Sequence, residues 1–323
     1  SQLININFLK KYIFYIIFLI LLNSCKGNDN KISNSYSLTI ERFDKFFYES
    51  TPNDLFDLKK TYPFLFPEQY DNKVWISRLN DSIQKEIYSE VSRVFSNLDN
   101  EKTEIQSFYN NFTFYFPKYE LPRLITLISD VEYENRVILA DSLLLIGLDN
   151  YLGSEHPFYS TMPKYISDNL IPRMIISDIA EEYAYYVIPR ANFYTFLDKI
   201  IFYGKVLYFK DIMLPKLEDR HKIGYSKLGM DWARQNEHYV WTYFVEKQLL
   251  FSSENKLITR FINNAPFSKF YLSIDNESPG MIGRFIGWEI VKSYMKNNNT
   301  SFIEMILMNP IDIYNKSKYK PQK

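Results

Sequence analysis

The segment Ile179-Ala180-Glu181-Glu182-Tyr183-Ala184-Tyr185-Tyr186 has the most suggestive spacing in the chain. Two imidazoles four residues apart on a helix, with a glutamate after the first, can hold a hydrolytic zinc, because positions i and i+4 share one face. Glu181-Glu182-Tyr183-Ala184-Tyr185 has that length and keeps a glutamate, Glu182, in second place, but Glu181 and Tyr185 stand where imidazoles would be needed. Taken alone, the segment reads as an acidic helix. Metallopeptidases of this general kind often place a third ligand, a glutamate, just before a glycine on the next helix. Here Tyr203 precedes Gly204. One carboxylate and two phenols make a poor zinc set, since zinc prefers His, Cys and carboxylate. The three histidines, His156, His221 and His238, are far apart and show no ligand spacing. Neither a metal nor another cofactor is called for.

A second segment, Asp275-Asn276-Glu277-Ser278-Pro279-Gly280-Met281-Ile282-Gly283-Arg284-Phe285-Ile286-Gly287-Trp288, is glycine-rich. If it turns into a helix, Gly280, Gly283 and Gly287 fall on one face and allow close backbone packing. The rival reading is an anion held at a helix N-terminus, but no convincing strand precedes it, so a dinucleotide fingerprint is weak. Packing is the favoured reading. Asp275 and Glu277 have the right chemistry for acid and base, yet unpaired loop carboxylates are usually just solvated. No Gly-x-Ser-x-Gly elbow, phosphate loop or Cys–His pair occurs. The chain offers no intact catalytic set.

The elements that must position these residues follow from periodicity. Apolar residues at Ile83, Ile87, Val91, Val94, Phe95 and Leu98 predict a helix within 81–98. Residues 124–129 and 136–140 are β-branched, bounded by polar turns and read as strands, and 143–149 suits a buried strand. Helices are expected over 175–187, 193–208, 231–249 and 287–295. Thr51-Pro52-Asn53-Asp54 can open a helix, and the second proline of Tyr62-Pro63-Phe64-Leu65-Phe66-Pro67 breaks one. The expected class is α+β, helix-dominated, with one small sheet in a single domain over 36–315. A disordered tail is expected at 316–323.

The N-terminus carries a different signal. Lys10 and Lys11, the apolar run Tyr12 to Leu22 and then Leu22-Asn23-Ser24-Cys25 have the order of a secretory signal with a small-residue cleavage site. Cys25 is the sole cysteine, placed where a bacterial lipoprotein receives its lipid. The apolar stretch is about half the ~20 residues that a spanning helix needs. Signal peptide 1–24, flexible tether 25–35 and a lipid on Cys25 are therefore expected. Nothing after Cys25 can form a disulfide, so the domain must stand on its core alone. With 27 tyrosines and 26 phenylalanines that core is rich in rings. Basic and acidic residues balance at 38 each, without a basic stripe, which argues against nucleic acid as a partner.

Longer stretches carry a resemblance. They are 146–153, 198–205, Lys222-Ile223-Gly224-Tyr225, 263–271, 277–283 and Gly287-Trp288-Glu289-Ile290-Val291-Lys292-Ser293-Tyr294-Met295. With the lipoprotein start, they resemble the GldB gliding-motility lipoproteins of Bacteroidetes from about Phe43 to Met295. That family is similar in turn to predicted zincin-type zinc-dependent proteases. The resemblance implies a zincin-like domain, with 143–149 as a strand beside a former cleft that includes Asp149, and the helices of Glu182 and Tyr203 as its floor. It implies an anchor in the cell envelope facing the periplasm, and partners in the gliding and type IX secretion machinery. Its altered positions Glu181, Tyr185 and Tyr203 favour a pseudoenzyme that supports assembly or stability. The alternatives are a metal-dependent hydrolase using His156 or His221, and a role in lipoprotein export or folding.

Overall fold

A computed structural model of the chain describes residues 38–190 and 193–321. The signal, tether and Cys25 read from the sequence lie outside the described residues. Four strands form one sheet in the order β1-β2-β4-β3: β1 (Ile40–Arg42), β2 (Arg123–Leu127), β3 (Val137–Ala140) and β4 (Leu143–Gly147). β1, β2 and β4 run parallel, with Leu124 opposite Ile40 and Leu144, while β3 pairs antiparallel with β4. Parallel strands covered on both faces read as unbroken apolar runs; β4 does so, while β2 is interrupted by Thr126.

Alternation sorts their side chains. Leu124, Leu144 and Ile146 face the main core, and Ile125, Leu143 and Leu145 face a smaller aromatic cluster. That cluster is built from residues 43–79, where Phe47, Tyr62 and Phe66 are buried beside Trp75. The short helix Phe43–Tyr48 begins where β1 ends. Its buried Asp44 accepts bonds from the Arg42 guanidinium and from Thr126 Oγ1 of β2 at 2.5 Å, which ties helix to sheet.

The helices that bear on the site are α1 (Ser82–Val94), α2 (Asp99–Tyr115), α3 (Ile175–Val187), α4 (Phe196–Met213), α5 (Lys227–Gln235), α6 (Glu237–Glu246), α7 (Ile282–Asn297) and α8 (Pro310–Ser317). Thr195 and Asp198 form a reciprocal capping box that starts α4. Beyond it α4 is apolar on nearly every side, the pattern of a helix inside a core. α7 and α8 pack along it, α3 lies between α4 and β3, and α2 crosses α3.

Close approach explains the glycines. A Cβ on Gly204 of α4 would sit 2.2 Å from Gly287 O of α7, and one on Gly287 would sit 1.7 Å from Ile200 O. The two helices therefore meet backbone to backbone. Gly283 likewise lies against Phe261 O, and Gly280 against Ala265 O, at 2.9 and 2.2 Å from a built Cβ.

Several expectations change. The helix expected over 231–249 is two, α5 and α6, broken at Asn236, whose side chain donates back to Trp232 O. Residues 148–150 leave β4 as a turn of 3-10 helix. β4 lies inside the sheet between β2 and β3, and the edge strands are β1 and β3. The expected tail is ordered as far as residue 321: Lys316 and Ser317 close α8, and the Tyr319 ring meets Trp241 at 5.1 Å while its hydroxyl donates to Glu237. An aromatic anchor outweighs the lysines around it. Among the described residues, no helix is long and apolar enough to cross a membrane.

Candidate functional site

α3 follows a 3-10 turn opened by Pro172 and buries Ile175, Ile176, Ile179, Ala180, Tyr183 and Ala184. That apolar face fixes the direction in which its charged residues point. Asp178, Glu181 and Tyr185, spaced i, i+3 and i+7, share a second stripe. Arg136, just before β3, forms a two-pronged pair with Asp178 at 2.6 and 2.9 Å, and Tyr151 donates to the same carboxylate.

Glu181 is the meeting point of three elements. Lys210 Nζ of α4, 1% exposed, donates to its Oε2 at 2.6 Å and also to Ser177 Oγ and Lys222 O. The Tyr185 hydroxyl donates to Oε1 at 2.6 Å. Arg284 Nη1 of α7 stands 3.6 Å from the same oxygen. Burial alone would raise the Glu181 pKa, but Lys210 and Arg284 overcome it and hold the group down at about 2. Tyr185 moves the opposite way, well above the usual phenol value, through burial and then the Glu181 charge.

Tyr203 of α4 completes the group. The Arg284 guanidinium lies over its ring at 4.1 Å from the centroid, while Arg284 Nε donates to Ile262 O. The positions read as possible ligands, Glu181, Tyr185 and Tyr203, thus converge, and a guanidinium lies among them. A zinc ion does not fit this set. The single carboxylate already neutralises an ammonium and faces a guanidinium, and the other two groups are phenols held protonated or stacked. Among the described residues no group of three His, Cys, Asp or Glu could hold a metal.

Glu182 points away from that cluster and takes no hydrogen bond among the described residues. Burial, with repulsion from Glu181 and Asp178, pushes its pKa up to about 7. The histidines do not join it. His156 pairs with Glu90 at 3.2 Å and caps a short 3-10 turn, His221 is buried on the helix 219–223, and His238 packs against Tyr239.

Asp149 belongs to a turn. Its carboxylate accepts from Ser129 N, Ser129 Oγ and Val131 N, which holds residues 129–131, where Asp130 and Val131 adopt φ of 59° and 60°. Asn150 donates to Ser129 Oγ and Gly147 O in the same knot. Asp275 does similar work, accepting from the backbone of Phe270, Tyr271 and Leu272. Gly280, Gly283 and Gly287 lie at backbone contacts, and Ser268 Oγ accepts from Ile282 N at the start of α7.

A groove of about 660 Å³ opens on the other side of the α7 N-terminus. Its walls are one face of α5, the loop 264–266, the segment 276–281 and residues from 164–169. Tyr165, Trp232 and Met281 supply apolar surface, and Asp168, Asp231 and Glu277 supply carboxylates. Its volume is in the range of ordinary ligand pockets. Sequence reasoning did not single out this groove, nor Lys210 and Arg284. The available signal for the groove was that three of the segments quoted for the family resemblance (222–225, 263–271 and 277–283) contribute residues to its lining.

With this geometry in hand, comparison with known proteins gives one finding. The family model described as gliding motility protein GldB matches residues 25–321. No curated protein and no solved structure matches the chain.

Proposed function

The chain belongs to the GldB family and is a gliding motility-related protein, and we propose that it acts as a lipid-anchored, non-catalytic cell-envelope protein that supports assembly or stability of the gliding and type IX secretion machinery. One observation carries the non-catalytic part: Arg284 and Lys210 neutralise Glu181 where a metal would have to bind. A glutamate in the place of Glu182 acts as a base by deprotonating metal-bound water, and the donor set beside it favours no metal. The match begins at residue 25, the cysteine of the lipoprotein signal, which supports the anchor. A zincin ancestry agrees with the antiparallel edge strand β3 against α3, and it remains part of this reading.

The hydrolase reading keeps one supporting observation, the Glu182 carboxyl with its pKa raised to about 7, the range suited to a general base. Complementation of a deletion strain separates the two. Glu182→Gln at normal protein level is expected to restore spreading on agar fully. Loss of spreading with that variant would sink the non-catalytic reading. In the same strain Cys25→Ser is expected to leave the membrane pellet, and its retention there would sink the lipid anchor.

A further inference from the structure

The groove beside α7 has a charge imbalance that specifies an occupant. Among its lining residues Asp168, Asp231 and Glu277 are acidic, and Lys164 is the single cation. Lys164 is already committed, to Glu155 at 3.1 Å and to Asp168 at 3.0 Å. Asp231 and Glu277 have no ion pair or side-chain hydrogen bond among the described residues. Beside them lie the half-buried rings of Tyr165 and Trp232, and Leu228 at the rim is 81% exposed. The side-chain amides of Gln235, Asn264 and Asn276 line the same space and can bond a peptide backbone.

The floor is rigid. Ser268 bonds Pro279 O and Ile282 N, Ser278 bonds Ser268 O, and Tyr225 donates to Gly280 O at 2.7 Å. Met281 is held at φ 57°, a left-handed conformation rare for this residue type, within that network. Such a preformed floor needs little ordering when a ligand arrives, which lowers the cost of binding.

We propose that this groove takes an extended segment of a partner protein that carries a lysine or arginine next to an apolar residue. The cation sits over the Trp232 and Tyr165 rings among the carboxylates of Asp231 and Glu277, and the apolar neighbour covers Leu228. The aromatic faces and the carboxylates attract the same charge. This rests on the reading of the chain as a support for other envelope proteins, and it names the chemistry by which one would be held.

The test uses the full chain in detergent and two labelled probes. One is a glycine–serine peptide with a central Lys-Leu-Arg, and the other has Glu-Leu-Glu in its place. Fluorescence anisotropy is expected to show the basic probe bound more tightly, with the preference shrinking as salt rises. The double variant Asp231→Asn/Glu277→Gln keeps shape and removes both charges, and is expected to weaken the basic probe by about threefold to tenfold with an unchanged melting temperature. Equal binding of the two probes, no binding of the basic probe, or undiminished binding to the double variant would each overturn the proposal. These readings are made without cells, so they can fail while complementation still supports the family role, and the reverse.

Discussion

Arg284 of α7 stands 3.6 Å from Glu181 of α3, with its guanidinium over Tyr203 of α4. One side chain thus joins three helices at the point where the sequence places a ligand set. A guanidinium supplies positive charge to a partly buried carboxylate as a metal would, but it offers no open coordination position for water or substrate. The arrangement stabilises Glu181 as an anion and leaves nothing to polarise a scissile bond.

Lys210 carries more of this junction than Arg284. Its ammonium is 1% exposed and 2.6 Å from Glu181, so the pair is fully desolvated on the lysine side. Removing one member of a fully buried pair costs about 3–5 kcal/mol, and the loss is smaller here because Glu181 is 26% exposed and keeps Arg284 at 3.6 Å. Lys210→Met should lower the urea midpoint, and Glu181→Gln/Lys210→Met should recover part of the loss. A single variant as stable as the parent would show that the pair is not a structural element.

Adjacent carboxylates on α3 should respond to pH in opposite directions. Glu181, held at about 2, adds stability above its unfolded value near 4.5 and loses it as pH falls towards 2. Glu182, pushed up to about 7, adds stability below 4.5 and loses it as pH rises through 7. Glu182→Gln should then match the parent near pH 4.5 and exceed it at pH 8 by on the order of 1 kcal/mol, once solvent screening of a half-buried group is allowed for. Thermal melts at the two pH values decide it. A variant less stable than the parent at pH 8 would refute the assignment.

What could be read from the chain depended on the range of the signal. The span 175–187 was legible to the residue, because its apolar periodicity is local and a proline turn precedes it. Strands β2 and β3 were legible as β-branched runs between polar turns, and β4 as an apolar run. β1 was not, because three residues ending in Arg42 carry no periodicity and gain their order from pairing with β2, far along the chain. α2 was missed although its buried residues, Ile105, Phe108, Tyr109 and Phe112, keep the i, i+3, i+4, i+7 spacing of a helix. At the candidate site, Glu181, Tyr185 and Tyr203 were found by analogy of spacing. Lys210 and Arg284 come from helices whose crossing the sequence does not state. The groove was least legible, since its walls are loops and helix ends assembled from distant segments.

The crossing of α4 and α7 gives the sharpest packing prediction. A methyl group on Gly287 would lie 1.7 Å from Ile200 O, and one on Gly204 would lie 2.2 Å from Gly287 O. Both obstacles are backbone, which cannot rotate aside, so the helices must separate along the most extensively packed pair in the fold. Overpacking costs typically 1–3 kcal/mol, and here it also loosens the α7 side of the Arg284 junction. Gly287→Ala should accordingly lower the melting temperature by several degrees and reduce the coupling between Lys210 and Glu181 in a double-mutant cycle. Gly229→Ala is the control. Its new methyl meets Pro279 Cβ at 3.3 Å and Ser226 Oγ at 3.4 Å, a tight contact but no backbone overlap, so it should cost much less than Gly287→Ala. Equal effects from the two alanines would mean that the crossing distance is not what glycine provides at position 287.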